Sequence, residues 1–257
     1  MLMAHPSVHI PPETYVLPQA IQRYSSQANA NWNTLVDLVL ATFEYHPEFD
    51  KFNISLRELS HRQKTIPDEK RNLAQLIDSI YRYHAEQQGK TITRWGDKTP
   101  LNTFYLPSIY AVFPDAKFVH ILRDGRDCIA SMITQLSGYN VETAADRWLN
   151  AVRAANKFSS SHPDACYRIR YEDLTLDPEK SLSQLCAFLG IEYSSDMINS
   201  ERIAQTMGDV PALGHHDNVA KKIFRSSVGR ASEVLSPSDM DFVTTRLDTE
   251  LRKLGYL

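Results

Sequence analysis

The residues with the clearest chemical meaning lie where a short apolar run leads into a tight turn and then a helix. The run Phe118–Leu122 predicts a buried strand covered on both faces, Arg123 follows it, and residues 126–136 have a helical pattern. In open α/β sheets, ligands bind at the carboxyl ends of strands, and a helix amino terminus attracts anions. We therefore expect a phosphate site here, with the guanidinium of Arg123 as its main ligand and the hydroxyl of Ser131 as a second donor.

The same segment also permits a purely structural interpretation. Arg123 and Arg126 alternate with Asp124 and Asp127, so the four side chains could form a charge network at the surface. Exposed ion pairs of this kind contribute little to stability and bind no ligand. The spacing alone does not choose between the two interpretations.

Lys98 lies in a second predicted strand-to-helix loop, Trp95–Pro100, and adds a cation to the same sheet. Two cations at one crevice suit a polyanionic ligand. The string GDKT resembles the end of a Walker A loop, but none of the nine glycines has the required G-x-x-x-x-G-K-[ST] spacing, so we reject a P-loop. A solvated loop lysine is the alternative interpretation of Lys98.

Glu13 follows two prolines, Pro11 and Pro12, which hold the backbone extended and restrict its freedom. A carboxylate fixed in this way is a candidate general base. The alternative is an exposed acid with no chemical role.

Metal and thiol chemistry find little support in the sequence. His215, His216 and Asp217 are adjacent, but no HExxH or Cys/His ligand spacing accompanies them, so we expect no metal. The three cysteines form neither a CxxC pair nor an even-numbered disulfide framework, which favours a reducing, cytoplasmic location. They are Cys128, Cys166 and Cys186.

Composition excludes several other classes of protein. The chain has 257 residues with 28 basic and 31 acidic side chains, and a net charge of −3 gives no reason to expect a nucleic-acid partner or a polybasic membrane anchor. No apolar run approaches the ~20 residues that span a bilayer, and no basic region precedes an apolar stretch at the amino terminus. Without repeats or linkers, the sequence predicts one soluble domain over residues 1–257.

The elements that must position these residues follow an α/β pattern. Helices are predicted first, and from Thr91 onward short strands alternate with helices, which is typical of a parallel sheet. The weakly patterned stretch 207–228 is long enough to be a lid or binding segment. The predicted strands are 91–95, 118–122 and 166–171. The predicted helices include 31–43 and 73–84, a helix from Asp177-Pro178 to Gly190, and a helix from Ser236-Pro237 to Gly255.

Five segments, in this order, resemble bacterial sulfotransferases and are similar to tyrosylprotein sulfotransferases: AHPSVHIPPET, WGDKTP, FPDAKFVHILRDGRDCIASM, RYEDLTLDPEKSLSQLCAFLGI and SSVGRASEVLSP. The resemblance covers nearly the whole chain and is weakest over residues 25–90. It implies a P-loop nucleotide-kinase-like α/β sulfotransferase fold, with helices flanking a parallel sheet. It further implies 3′-phosphoadenosine-5′-phosphosulfate (PAPS) as donor, adenosine 3′,5′-bisphosphate (PAP) as product, and a hydroxyl group as acceptor.

The resemblance also implies roles for individual residues. Glu13 corresponds to the family's base, and Lys98 to a lysine near the leaving phosphate, although Lys98-Thr99-Pro100 replaces the family's Lys-Asp-Pro. Arg123 and Ser131 would hold the 3′-phosphate. The remaining implied nucleotide-binding residues are Tyr171, Ser226, Ser227, Gly229 and Arg230.

One departure from the family pattern concerns the start of the chain. In the family, a strand and an Arg-Ser-Gly-Thr-Thr loop that grips the 5′-phosphosulfate precede the AHP segment, whereas this sequence starts at Met1, in the helix expected to follow that loop. We therefore expect a fold that lacks its first strand and loop, through a late start codon, a fragment or a true loss. A fragment or a true loss would favour a catalytically impaired nucleotide-binding homologue, and a kinase without its Walker loop is a further alternative.

The acceptor stays open at this point. A small molecule, a carbohydrate, a lipid or a peptide hydroxyl fits the composition of the helices in residues 28–88 about equally, and a homodimer is also open.

Overall fold

A computed structural model describes residues 1–199, 201, 203 and 227–257. Among these, residues 1–116 with 201 and 203 belong to one compact unit, and residues 117–199 with 227–257 belong to a second. Each unit contains one parallel pair of strands covered by helices. The single domain over 1–257 stays a prediction.

The first unit pairs two short strands in parallel, with Val8 opposite Arg94 and His9 opposite Trp95. The helices predicted at 31–43 and 73–84 are confirmed. Asn31 and Asn72 cap them, because each side chain accepts a hydrogen bond from the third backbone amide of its helix. The strand predicted from 91 is present only as its last two residues. The elements are β1 (Val8–His9), α1 (Leu17–Ser26), α2 (Trp32–Glu44), α3 (Arg57–Lys64), α4 (Leu73–Gln87), β2 (Arg94–Trp95) and α5 (Leu106–Val112).

Two short 3₁₀ helices lie where the sequence predicts α-helix: at the start of the chain, and after Thr99, which with Pro100 is typical of a capped helix start. Residues Leu2–Ala4 form a 3₁₀ turn rather than the end of an α-helix. Residues Pro100–Phe104 also form a 3₁₀ helix, and its first residue is preceded by Thr99, whose side chain makes no capping hydrogen bond. Proline at the first position is compatible with such a turn because no amide hydrogen is needed there.

Tyr81 on α4 connects the helical layer to the end of β2. Its side chain is fully buried, and its ring stacks on that of Trp95 with centroids 4.1 Å apart and an interplanar angle of 3°. The Trp95 indole N–H donates to Asp78 Oδ1 at 2.8 Å. These contacts hold the carboxyl end of β2 against α4.

A buried histidine pair holds β1 against the same helix. His9 Nε2 lies 2.7 Å from His84 Nδ1, and His84 Nε2 lies 3.2 Å from the carbonyl oxygen of Phe52. A neutral tautomer with hydrogen on each Nε2 satisfies both contacts, so His84 donates to Phe52 and accepts from His9. Burial lowers the pKa of both histidines to about 4, and the positive charge of Lys90 contributes in the same direction.

This pair predicts a loss of stability in mild acid. The unfolded histidines bind protons below about pH 6.5 while the folded pair resists protonation, so the free energy of unfolding should fall between about pH 6.5 and about pH 4. Thermal unfolding measured across this range checks the prediction. His84→Gln should flatten the pH dependence, whereas His61→Gln, an exposed position on α3, should not. Equal slopes in the parent and His84→Gln would contradict it.

The second unit pairs β3 with β4 in parallel, with Phe118 opposite Cys166 and Leu122 opposite Arg170. The predicted helix at Asp177-Pro178 is confirmed, and it ends at Gly190 with a φ of 64°. The helix predicted from Ser236-Pro237 is confirmed too. The elements are β3 (Phe118–Leu122), α6 (Gly125–Gln135), α7 (Val141–Ser161), β4 (Cys166–Arg170), α8 (Tyr171–Leu176), α9 (Pro178–Leu189), α10 (Ala231–Val234) and α11 (Pro237–Lys253).

Two predictions for these strands are wrong. Leu122 is buried in the core of this unit, but its neighbour Ile121 is 57% exposed, so the described residues do not cover both faces of β3. Adjacent strand residues point to opposite faces, and the core formed with α6, α7 and α11 lies on the Leu122 side. The second strand ends at Arg170, and Tyr171 begins α8 instead of continuing the alternation.

Gly125 allows α6 to start close to its neighbours. A β-carbon at this position would lie 2.6 Å from a methyl of Leu247 on α11 and 2.9 Å from the ring of Trp148 on α7. A side chain there would force a packed core apart. The glycine therefore fixes where the helix begins, and with it the place of the preceding Arg123.

No helix within the described ranges is long and apolar enough to cross a bilayer.

Candidate functional site

Glu13 and Lys98 meet in the first unit, beyond the carboxyl ends of β1 and β2. The Lys98 ammonium contacts Glu13 Oε1, and the hydroxyl of Tyr15 donates to Glu13 Oε2. The Glu13 side chain is 23% exposed and that of Lys98 is 62% exposed, so the cluster is open to solvent on the lysine side. Both oxygens of the carboxylate thus have a donor, and the group remains reachable.

Tyr15 is a site residue that the sequence analysis missed. Its φ is 54°, in the left-handed region, which costs a residue other than glycine about 1–2 kcal/mol. Backbone outliers of this kind cluster at functional sites, where the surroundings hold them in place. The positive φ of Tyr15 depends on tertiary contacts, so the sequence Glu13-Thr14-Tyr15 does not predict it.

Asp97, next to Lys98, is a second missed residue. Its Oδ2 accepts hydrogen bonds from the hydroxyls of Thr14 at 2.9 Å and Tyr81 at 2.5 Å, and its Oδ1 accepts from the Asn102 amide at 2.8 Å. Burial and the charge of this carboxylate raise the pKa of Tyr81 well above its usual value. The tyrosine therefore stays protonated and acts as a donor.

Arg123 lies in the second unit, directly after β3. Its side chain is 17% exposed, its guanidinium lies 4.8 Å from the ring centroid of Tyr171, and Nη2 donates to the carbonyl oxygen of Ser227. Asp127 Oδ2 is 4.0 Å away. Nε is buried and has no hydrogen-bond partner in the part of the chain that the structure describes. One N–H group of the guanidinium thus has no partner among the described residues, and Nη2 is engaged by Ser227 and lies at ion-pair distance from Asp127.

Asp127 on α6 anchors the segment that reaches Arg123. This residue is 3% exposed, and its two carboxylate oxygens accept hydrogen bonds from the backbone amides of Gly229 and Ala231, each at 2.8 Å. Gly229 has a φ of 78°, a conformation that favours glycine. The contact fixes the start of α10 and, with it, the carbonyl of Ser227. Sequence analysis considered Asp127 only as a partner of an arginine.

Two carboxylates, those of Asp124 and Glu172, hold the turn after Arg123. Asp124 accepts a hydrogen bond from the Arg126 backbone amide at 2.9 Å and pairs with the Arg126 guanidinium at 2.6 Å. Glu172 accepts from the Asp124 amide at 2.9 Å and from the Tyr256 hydroxyl at 3.0 Å. Both pairs of the alternative charge network are therefore present, Arg126 with Asp124 at 2.6 Å and Arg123 with Asp127 at the longer distance of 4.0 Å. The anionic side chain of Asp124 already caps the amino terminus of α6, so this helix end is not free to attract a second anion.

The other predicted residues have mixed outcomes. Ser131 lies on α6, and its hydroxyl donates to Gln135 Oε1 at 3.3 Å. Arg230 directly precedes α10. Ser226 lies outside the described residues, as do His215, His216 and Asp217 and all of the predicted lid but its last two positions. Their roles stay predictions. Within the described ranges, no group of three or more potential ligands could hold a metal ion.

The thiol of Cys128 is not activated as a nucleophile. Burial raises the pKa of its thiol to about 12, so the reactive thiolate is absent near neutral pH. All three cysteines are free thiols.

The sulfotransferase family model matches residues 1–195, and the chain belongs to this family. Its relatives include a putative protein-tyrosine sulfotransferase of Caenorhabditis briggsae, 28% identical over 123 residues, which are 46% of this chain and 44% of the relative. Protein-tyrosine sulfotransferase A of Caenorhabditis elegans is 23% identical over 280 residues, 100% of this chain and 62% of the relative. The chain thus spans less than two-thirds of the length of either relative.

A solved structure shows the fold. The sulfotransferase domain from the Synechococcus PCC 7002 olefin synthase has a TM-score of 0.58 with this chain at 20% sequence identity. The match covers 95% of this chain and 86% of that domain. The predicted α/β sulfotransferase fold is therefore confirmed, while the absence of a first strand and loop stays a prediction.

Proposed function

We propose that this protein transfers a sulfuryl group from PAPS to the hydroxyl of an acceptor, with Glu13 as the general base. The observation that carries the proposal is the Glu13 carboxylate, which Lys98 and Tyr15 contact at the carboxyl ends of a parallel strand pair in a member of the sulfotransferase family. A carboxylate with its orientation held from two sides is suited to take a proton from a hydroxyl.

The residues around Arg123 fit a nucleotide phosphate. The proposal is supported by the mostly buried Arg123 guanidinium, which lies 4.8 Å from the ring centroid of Tyr171, because a guanidinium offers planar, charged donors that suit a phosphate. Arg123, Tyr171 and the segment at Ser227 and Gly229 would hold the nucleotide, and Ser131, Ser226 and Arg230 are proposed from the family resemblance. When bound, PAPS supplies the sulfuryl group, and PAP is left as product.

The remaining steps belong to side chains of the first unit. Glu13 accepts the proton of the acceptor hydroxyl through a carboxylate oxygen, which typically contributes ~10²–10⁴-fold to the rate. As the acceptor oxygen bonds to sulfur, the bond between sulfur and the 5′-phosphate oxygen breaks and PAP leaves. The Lys98 ammonium would neutralise the negative charge that builds on that bridging oxygen. Tyr15 keeps the carboxylate in one orientation.

The acceptor is proposed to be a small molecule or a peptide that presents a hydroxyl group, in line with the protein-tyrosine sulfotransferases among the relatives. We also propose a cytoplasmic location, supported by three cysteines that remain free thiols.

Transfer of labelled sulfate tests the proposed function. The protein is incubated with PAPS and a panel comprising a tyrosine peptide, a phenol, a sugar and a hydroxylated lipid, while binding of PAP and ATP is measured by calorimetry. We expect PAP to bind more tightly than ATP and at least one acceptor to be labelled. Preference for ATP would instead support a kinase, and tight PAP binding with no transfer to any acceptor would support an inactive binding homologue.

A further inference from the structure

Two neighbouring contacts join the segment after β1 to the segment after β2. Glu13 contacts Lys98, and the next residue, Thr14, donates to Asp97 Oδ2 at 2.9 Å. The first contact is open to solvent, whereas Thr14 is 2% exposed. The same two segments are therefore joined twice, once at the reactive pair and once beneath it.

The buried contact is the more rigid of the two. An exposed lysine–carboxylate pair contributes at most about 1 kcal/mol and does not hold its geometry by itself. The Asp97 carboxylate receives three donors from separate parts of the unit, and a buried, satisfied polar network of this kind fixes a unique arrangement. Tyr81, one of these donors, is itself fixed by stacking on Trp95.

We propose that Asp97 is a positioning residue that sets the distance between Glu13 and Lys98 through its hydrogen bond with Thr14. Asp97 itself contacts neither the acceptor nor the donor. This inference rests on the proposed function for its kinetic consequence, but its structural consequence at Lys98 can be measured without any turnover.

Thr14→Val tests the link because it keeps the shape of the side chain and removes the hydroxyl. A misplacement of about 1 Å can cost ~10²-fold in rate, so we expect kcat to fall about 10- to 100-fold with KM and PAP affinity little changed. Thr14→Ser keeps a donor and should restore most of the turnover.

Tyr81→Phe is the matched control. It removes the other hydroxyl from the same oxygen, Asp97 Oδ2, while Thr14 keeps the hydroxyl with which it donates to Asp97. Its melting temperature should fall as much as that of Thr14→Val, with a smaller loss of kcat. Equal losses of kcat in the two variants would overturn the linking role.

Chemical labelling of Lys98 separates failure of this inference from failure of the proposed function. Peptide mass spectrometry measures how fast an acylating reagent modifies Lys98 in each folded variant. Release from Glu13 should speed the reaction about two- to fivefold in Thr14→Val and not in Thr14→Ser or Tyr81→Phe. An unchanged rate in Thr14→Val overturns the inference, whether or not the parent transfers sulfate.

A second pair of variants keeps the test decisive if Thr14→Val does not fold. Asp97→Asn keeps a carbonyl oxygen that can accept from Thr14, and Asn102, whose Oδ1 is buried without a partner in the described residues, can turn its amide to match. Asp97→Ala removes the acceptor. Faster Lys98 labelling in Asp97→Ala than in Asp97→Asn supports the inference, and equal rates overturn it.

Discussion

Replacing Glu13 by glutamine or alanine is expected to lower kcat about 10²- to 10⁴-fold, the range typical of a positioned base. An amide or a methyl group cannot take the proton of the acceptor hydroxyl. Glutamine still accepts a hydrogen bond from Tyr15, so the local structure should persist. Turnover at saturating PAPS and acceptor measures the effect, and PAP affinity measured by calorimetry should stay close to that of the parent.

Glu48→Gln is the control for this experiment. Glu48 also pairs with a lysine, Lys51, in the first unit, and both residues belong to the 3₁₀ helix Pro47–Phe52. This variant should keep the parent's kcat. If Glu13→Gln retained full turnover, the base role would be excluded and the Glu13–Lys98 contact would be a surface ion pair.

Replacing Arg123 by alanine is expected to weaken PAP binding about 10- to 100-fold, because hydrogen bonds to a charged group contribute roughly 1.5–3 kcal/mol. Arg123→Lys should recover only part of the affinity, since it restores the charge but not the planar pair of donors. Calorimetric titration with PAP measures both variants. Parallel titrations at several salt concentrations should show a weaker salt dependence in Arg123→Ala than in the parent.

Arg153→Ala is the control for the arginine. Arg153 pairs with Glu250 between α7 and α11 of the same unit, at 2.8 Å, and its loss should leave PAP affinity unchanged. Unchanged affinity in Arg123→Ala would show instead that the guanidinium serves only to hold the carbonyl of Ser227. Melting temperatures of both variants separate that structural role from ligand binding.

Much of the fold could be predicted because its signals are local. A capping side chain and the backbone amide from which it accepts a hydrogen bond lie within four residues of each other, as at the helix starts capped by Asn31 and Asp177. Gly190 marks a helix end for a similarly local reason, its positive φ. Tyr171 was assigned to the wrong element because a strand-like alternation continues by chance into the first turn of α8.

The sequence by itself determined most of the helix starts and the α/β class, and it singled out Glu13, Lys98 and Arg123 as candidate site residues. Only the tertiary structure decided which groups these side chains contact. Thr14 and Asp97 are 83 residues apart in the chain, and Asp127 and Gly229 are 102 apart. Such hydrogen bonds depend on how distant segments pack together, and neither residue periodicity nor capping patterns encode that packing.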